Sequence, residues 1–401
     1  MSFDPLFIFG IARSGTNLVS GMLNARPDVS VALDPLMPFF KALRTEVLAA
    51  KGDAALIARY PEQAAFQDCY FDQLGVPLLD ATLHGSLDHP LAAEAARGLA
   101  EAVARRAALE SPTLPEMLAR VRAGTFAEFL AGVLGTVSSE SAGPLRWCGT
   151  KEVWTTEFIP LLALAMPRAR FIVIRRDPRS ILASLIAMMR KDETQTAHTI
   201  SYMRHWRKEA AVLDAIVSDI SLRQRLLIVH YESIAAVPDR VAGDICAFLD
   251  IPFDPAMLTP ASADGSVSRG NSSFGDMAGI ADTSIARWRR VLDEDTVRAI
   301  ECHCGPEMRA EGYEPINAWP VLPDAAVRRA AAQAHANAGS WRSDSGNLEG
   351  DLAQEGVRWD MLAGRSAFSE ADIRRHFLFA PFLERLCAAA PPQPAAVTGV
   401  R

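Results

Sequence analysis

A loop of small and polar residues between a predicted strand and a predicted helix carries the groups best suited to chemistry. Apolar residues 6–9 end at Gly10, the loop IARSGTN follows, and apolar residues then recur at helical spacing from Leu18. A glycine-bearing loop that leads into a helix N-terminus presents free backbone N–H groups to an anion. Arg13 adds a fixed positive charge, and three further side chains add hydrogen-bond donors: Ser14, Thr16 and Asn17. The loop therefore predicts a phosphate-binding site.

The spacing of the two loop glycines matches the loop of nucleoside triphosphatases, but two important residues differ. That loop reads G-x-x-x-x-G-K-[ST], in which the lysine reaches the β- and γ-phosphates and the hydroxyl holds Mg²⁺. Gly10 and Gly15 keep the spacing, whereas Thr16 replaces the lysine and Asn17 replaces the hydroxyl residue. These replacements disfavour ATP or GTP hydrolysis. A strand–turn–helix without any ligand stays open as the alternative.

The composition is that of an ordinary globular protein. Of 401 residues, 49% are hydrophobic and 22% are charged, with a formal net charge of −7. This charge gives no support to nucleic-acid binding, so an anion site must be built locally. No apolar run reaches membrane-spanning length and the first residues lack a signal-peptide pattern, so we expect a cytoplasmic protein without a membrane partner. Cys302-His303-Cys304 is spaced too closely for a usual zinc site, and we expect no metal.

Strand patterns followed by helical patterns lie on either side of a long helical stretch. The strand at 6–9 is joined by apolar runs at 29–33, 145–151, 170–174 and 226–230. This alternation predicts an α/β fold with a mostly parallel central sheet and helices on both faces. Ligands of such sheets bind at the carboxyl ends of the strands. Five residues follow predicted strand ends and should share one site: Arg13, Asp34, Lys151, Arg176 and Tyr231.

Two long segments are predicted to be helical additions to this sheet. Residues 36–140 contain alanine-rich helical patterns, which we interpret as a cap inserted into an α/β domain of residues 1–316. A helical appendage without contact to substrate stays open. Residues 317–401 are expected to form a C-terminal helical tail with a disordered end. Its last helix, within 369–389, should pack on the core or on a second subunit, which leaves a homodimer open.

A second anion-binding pattern follows the strand at 170–174. The residues Arg-Arg-Asp-Pro lead into a helix, and Pro178 suits its first position. Arg176 at the start of this helix and Ser184 inside it could grip another phosphate. An ordinary capped helix, with an ion pair between Arg176 and Asp177, stays open.

Two phosphate sites on one sheet, without the lysine of the triphosphatases, resemble the sulfotransferase family that uses 3′-phosphoadenosine-5′-phosphosulfate (PAPS). The loop IARSGTN is similar to that family's 5′-phosphosulfate loop. Arg176 with Ser184 is similar to its 3′-phosphate motif. The resemblance covers residues 6–35 and about 148–313, and its spacing is closest to the tyrosylprotein-type and bacterial branches. It implies a P-loop-like sulfotransferase fold.

The resemblance also implies roles for single residues. The carboxylate that would act as general base corresponds to Asp34, one methylene shorter than the glutamate usual in that branch. Lys151 corresponds to a catalytic lysine, and Tyr231 to a tyrosine that contacts the nucleotide. A serine-plus-basic pair that binds the nucleotide corresponds to Ser272 and Arg287.

Sulfuryl transfer develops negative charge on the leaving phosphate oxygen. Arg13, Lys151 and the loop amides would stabilise that charge. Asp34 would take the proton of the acceptor hydroxyl. His84 and His89 stay open as alternative bases, because histidine has this role in the cytosolic branch of the family.

The sequence thus predicts a PAPS-dependent sulfotransferase that needs no metal and acts on a hydroxyl of a small molecule or peptide. Two alternatives stay open. One is a P-loop nucleotide kinase or other phosphotransferase, and the other is a non-catalytic nucleotide-binding homologue.

Overall fold

The central element of the fold is one all-parallel sheet. The structure, a computed structural model, describes residues 2–66, 74–109, 114–189, 199–261, 280, 285–336 and 348–389. In these residues the sheet has five strands in the order β2-β3-β1-β4-β5, namely β1 (Asp4–Gly10), β2 (Val29–Leu33), β3 (Trp147–Val153), β4 (Arg170–Arg175) and β5 (Leu226–His230). The predicted α/β class is confirmed.

Helices cover both faces of the sheet because its strands bury apolar side chains on both sides. On one side, Leu6 and Ile8 of β1 pack with helices α1 (Thr16–Asn24) and α13 (Pro238–Leu249). On the other side, Phe7 and Phe9 join a larger core with helices α7 (Phe126–Ser139) and α10 (Thr199–Ser218). Side chains of a strand alternate between faces, so a continuous apolar run is what a doubly covered strand requires.

The strand register brings the predicted site residues to one edge. Leu33 pairs with Lys151, Gly10 pairs with both Val153 and Ile174, and Arg175 pairs with His230. The segments that follow these strands therefore leave the sheet side by side. The carboxyl edge is where ligands bind in open parallel sheets.

The described residues between β2 and β3 form helices joined by loops, with one isolated bridge. This segment starts with α2 (Met37–Lys51) and continues to α7, with four helices between them: α3 (Ala54–Arg59), α4 (Gly75–Leu83), α5 (Ala93–Ala107) and α6 (Pro115–Leu118). Phe39 of α2 contacts Phe126 and Phe129 of α7, and α7 packs on β3 and β2. The segment therefore shares the main core, and its role as an acceptor cap stays a prediction.

The second half of the sheet is covered by further helices. They are α8 (Ile159–Ala165), α9 (Pro178–Met189), α11 (Ile220–Arg223), α12 (Tyr231–Ala236), α14 (Trp288–Val291) and α15 (Glu294–Ala310). Cys302 and Cys304 lie inside α15 with both thiols buried, as expected for residues of a packed helix. No described helix has the length and apolar character needed to cross a membrane.

The described residues of the C-terminal part form four helices: α16 (Ala325–Ala336), α17 (Leu348–Leu362), α18 (Glu370–Phe377) and α19 (Ala380–Ala389). Phe377, Phe382 and Leu386 pack into the main core. Helix α17, for which we found no sequence signal, docks through buried ion pairs with α10 and α15: Arg204–Asp351, Arg207–Glu355 and Arg358–Glu307. The division at residue 316 stays a prediction, and the end predicted to be disordered lies outside the described residues.

Gly149 of β3 gives a test of the sheet. A Cβ added there would lie 1.5 Å from the carbonyl oxygen of Leu6, so the strands could not keep their spacing. We expect Gly149→Ala to lower the free energy of unfolding by at least about 3 kcal/mol, the upper end of overpacking costs. Gly98→Ala is the matched control, because nothing lies within 4 Å of its added Cβ in the exposed face of α5. It should raise stability by about 0.5–1 kcal/mol. Equal urea midpoints for the two variants would contradict this pairing of β1 with β3.

Candidate active site

The loop after β1 is shaped by two glycines. A Cβ on Gly10 would lie 2.8 Å from the carbonyl oxygen of Ile174 and 2.7 Å from Ser14 Oγ. Gly15 has a φ of 103°, and a Cβ there would lie 2.4 Å from Cδ2 of Tyr231. The loop therefore runs close to β4 on one side and lies against the Tyr231 ring on the other.

The loop ends at the N-terminus of α1, where hydrogen-bond donors remain. The helix begins at Thr16, and its N-cap, Gly15, supplies no side chain to the first N–H groups. These groups have no partner within a helix and carry partial positive charge. Ser14 is completely buried, and within the described residues its Oγ has no hydrogen-bond partner. Asn17 is half-buried beside it. The donors fit an anion.

Two arginines connect this loop to the second predicted motif. Arg13, in the left-handed region at φ 73°, donates from Nε to Ser184 Oγ on α9 at 3.0 Å. Arg176 donates to the carbonyl oxygen of Arg13 at 2.9 Å, and its guanidinium lies 3.9 Å from the centre of the Tyr231 ring. The two motifs therefore form one continuous cationic surface.

The positive charges on this surface repel one another. Burial, followed by the nearby Arg176, lowers the pKa of Arg13. Burial also lowers the pKa of Arg176, against the opposing effect of Tyr231 and two carboxylates. Nε of Arg176 is buried and has no hydrogen-bond partner in the described part of the chain. A bound anion would relieve the repulsion and accept from these donors.

Arg175, the last residue of β4, and Arg176, which follows it, make different contacts. Arg175 pairs with Glu209 at 2.5 Å and Glu311 at 2.6 Å, and it lies over Trp206. Arg175 is therefore neutralised within the core. Arg176 is not paired with Asp177, whose carboxylate binds Arg179 at 2.7 Å instead.

Asp34 and Lys151 form an ion pair at the ends of β2 and β3. Asp34 follows β2 with a φ of 52°, and its N–H donates to the Lys151 carbonyl oxygen at 2.7 Å. Its Oδ2 contacts Lys151 Nζ, with relative exposures of 9% for Asp34 and 1% for Lys151. Asp34 does not cap α2, whose N-cap is Leu36. The pair thus places a carboxylate and an ammonium group beside β1, the strand that precedes the loop.

Three further residues at this edge had no prediction from the sequence. Arg106 of α5 donates from Nε to the Asp34 carbonyl oxygen at 3.2 Å. Glu152 accepts from the Leu36 N–H at 2.9 Å. Burial raises the pKa of Tyr202 on α10 to about 12, and the nearby Arg13 opposes this rise. Arg106 gave no signal because it is far along the chain, whereas Glu152 could have been suspected from its place next to Lys151.

The last pair of predicted nucleotide contacts is only partly described. Arg287 is the N-cap residue of α14 and lies near enough to Arg176 to lower the pKa of that side chain, after burial and three opposing groups. Ser272 lies outside the described residues. The structure thus brings Arg287 to the cationic surface.

The chain is an α/β protein with an all-parallel sheet and a glycine-containing loop after the central strand β1. A sequence model of the sulfotransferase family matches residues 5–255. The chain belongs to this family.

Individual proteins match this chain at low sequence identity. The chain is 26% identical over 206 residues to protein-tyrosine sulfotransferase A of Caenorhabditis elegans, covering 49% of this chain and 53% of the relative. It thus spans about half the length of that curated relative. It is also similar to the sulfotransferase domain of the Synechococcus PCC 7002 olefin synthase, with 18% identity, a TM-score of 0.43, and coverage of 73% of this chain and 90% of that chain. A Mycobacterium avium sulfotransferase is 16% identical, with a TM-score of 0.39 and 78% of each chain covered.

The two arginines at the end of β4 should differ in their effect on stability. Arg175→Ala leaves the fully buried Glu209 without its cation, which should lower the free energy of unfolding by about 3–5 kcal/mol. Arg176→Ala removes a cation whose own burial is unfavourable, so stability should change by less than about 1 kcal/mol. Urea unfolding of both variants checks this. Comparable losses would mean that Arg176 is also a structural residue.

Proposed function

We propose that the chain transfers the sulfuryl group of PAPS to a hydroxyl group of an acceptor. The observation that carries the proposal is the direct connection of the two phosphate motifs. Arg13 bonds Ser184, and Arg176 bonds the backbone of Arg13, beside the Asp34–Lys151 pair. Membership in the sulfotransferase family supports the same reaction class.

The residues at the cationic surface suit a nucleotide with phosphates at both ends of its ribose. The N-terminus of α1, Arg13 and the Ser14 hydroxyl would hold the 5′ end, with Thr16 and Asn17 in the same turn. Arg176 and Ser184 would hold the 3′-phosphate. PAPS supplies an activated sulfuryl group and needs no metal to neutralise it.

The remaining contacts of the nucleotide would come from three positions. Gly15 lets Tyr231 lie against the loop, so the tyrosine ring and the phosphate donors belong to one surface. Arg287 adds charge beside Arg176. Ser272 stays part of the proposal on its sequence position alone.

Three side chains would act on the reacting atoms. Lys151 and Arg13 would stabilise the negative charge that develops on the leaving phosphate oxygen. Asp34 would take the proton from the acceptor hydroxyl. In the structure Lys151 holds Oδ2 of Asp34, and Oδ1 has no hydrogen-bond partner among the described residues.

The acceptor would bind between this edge and the helical segment of residues 36–140. The contact of Arg106 with the backbone of Asp34 supports this placement, because it joins α5 to the proposed base. The name of the relative from C. elegans gives protein tyrosine as its acceptor, so a tyrosine peptide is one acceptor to test here, alongside small hydroxyl compounds. A cytoplasmic location and a homodimer stay predictions.

Binding of 3′-phosphoadenosine-5′-phosphate tests the nucleotide site. We expect it to bind and to raise the melting temperature equally with Mg²⁺ or with a chelator, whereas ATP should bind weakly. Arg176→Ala should weaken binding of this nucleotide by about 1.5–3 kcal/mol, the cost of lost charged hydrogen bonds. Titration calorimetry measures both values. Unchanged affinity in Arg176→Ala would overturn the 3′-phosphate assignment, and preference for ATP would favour a kinase.

Turnover with labelled PAPS tests the base. Asp34→Asn keeps the size of the side chain but removes its basicity, so kcat should fall on the order of 10²–10⁴-fold. Affinity for 3′-phosphoadenosine-5′-phosphate should barely change. Wild-type protein that binds the nucleotide but transfers no sulfate to any acceptor in a lysate would indicate a non-catalytic homologue.

Two histidines provide the comparison for this experiment. His84 is exposed at the end of α4, where Nδ1 lies 2.9 Å from the Asp80 carbonyl oxygen of the same helix. His89 is half-buried in the following loop. We expect His84→Ala and His89→Ala to keep most of the turnover. The reverse pattern, with an active Asp34→Asn, would move the base to the helical segment.

A further inference from the structure

Glu152 is a fully buried carboxyl group beside the proposed catalytic lysine. It follows Lys151 in β3, so the two side chains leave opposite faces of the sheet. Its Oε1 accepts the backbone N–H of Leu36 at 2.9 Å. Its Oε2 is buried and has no hydrogen-bond partner in the part of the chain that the structure describes. This carboxyl group therefore holds the turn that follows Asp34.

The charges around Glu152 do not provide it with a counter-ion of its own. Three charged groups face it: Asp34, Lys151 and Arg106. The ammonium group of Lys151 is bound by Asp34. Arg106 donates to the Asp34 carbonyl oxygen rather than to a carboxylate. Of these two buried carboxyl groups, only that of Asp34 directly binds a cation among the described residues.

Each of these two carboxyl groups has one oxygen without a donor. Within the described residues, Oδ1 of Asp34 and Oε2 of Glu152 both lack a hydrogen-bond partner. Two ionised carboxylates in one buried site repel each other, and one of them keeps its proton. Asp34 contacts the ammonium group of Lys151 directly, whereas no described cation contacts the Glu152 carboxyl group, so Glu152 is the one that keeps its proton.

We propose that Glu152 is a positioning residue that stays protonated and holds the Asp34-Pro35-Leu36 turn, leaving Asp34 as the ionised carboxylate at this edge. The Leu36 N–H makes Oε1 the carbonyl oxygen, so the proton lies on Oε2. The turn holds Asp34 at a φ of 52°, a conformation that is unfavourable for a residue with a side chain. The inference rests on the proposed function for the role of Asp34.

The direction of the pKa shift agrees with this assignment. Burial, and then the charge of Asp34, raise the pKa of Glu152 well above its ordinary value. The Leu36 N–H, Lys151 and Arg106 oppose this rise. When the folded-state pKa of a carboxyl group is raised, its contribution to stability is largest at a pH where the folded and the unfolded chain both keep the proton. That stability is complete below the ordinary glutamate range and is lost as the pH rises toward the folded-state pKa.

Glu152→Gln tests the protonation state without any need for turnover. Glutamine matches the neutral acid in size and cannot ionise. The unfolding equilibrium constant of wild type relative to Glu152→Gln should therefore rise with pH, by up to about tenfold per pH unit from about pH 5 upward. Infrared spectra at neutral pH should show a protonated-carboxyl band in wild type that is missing in Glu152→Gln. Parallel stability curves, or an unchanged band, would overturn the inference.

Kinetics test the positioning role. Glu152→Ala removes the acceptor of the Leu36 N–H, so we expect kcat to fall by about tenfold or more at unchanged nucleotide affinity. Glu152→Gln should rescue kcat to within about threefold of wild type and keep its pH profile. Loss of turnover in Glu152→Gln with an active Asp34→Asn would make Glu152 the base and overturn the inference. Absence of sulfate transfer in wild type would count against the proposed function, while the stability and infrared results would still decide the protonation of Glu152.

Discussion

Like charges held together at the carboxyl edge of the sheet are the constraint on which the site depends. Arg176 donates to the Arg13 carbonyl oxygen, and burial lowers the pKa of both side chains. The N-terminus of α1 adds further positive charge to the same surface. Burying like charges close together is unfavourable, and the surrounding fold must supply the stability that keeps them in place. The affinity for an anionic nucleotide would come from the release of this repulsion.

The buried charge of Arg175 is balanced by carboxylates instead. Arg175, one residue before Arg176, is bound by two glutamates, and the pKa of this arginine rises despite burial because both carboxylates favour its charged form. Burial raises the pKa of Glu209, and Arg175 opposes that rise. Buried pairs of this kind fix the geometry of helices rather than add much stability. Arg175, the last residue of β4, is therefore held by two carboxylates, whereas no described carboxylate forms an ion pair with Arg176, the residue that follows it.

The sequence predicted the features that depend on local pattern. Apolar runs located the strands, and the residues after them lie at one edge as expected, because parallel strands share their carboxyl ends. It did not predict Arg106, whose contact with Asp34 depends on helix packing across a long stretch of chain. Helix α17 was missed because its buried side includes charged residues such as Glu355 and Arg358, which hide the apolar stripe. Glu152 was missed because burial raises the pKa of its carboxyl group, and the identity of a residue does not reveal its burial.

Helix α10 joins the C-terminal tail to the cationic surface. Trp206 of α10 donates to the Arg176 carbonyl oxygen at 2.9 Å, whereas Arg207, one residue later, pairs with Glu355 of α17. One rigid helix therefore contacts both regions. Any coupling between docking of α17 and binding of an anion near Arg176 must be reciprocal. A tail that orders α10 would increase affinity for the nucleotide, and a bound nucleotide would by the same amount hold the tail more firmly against the core.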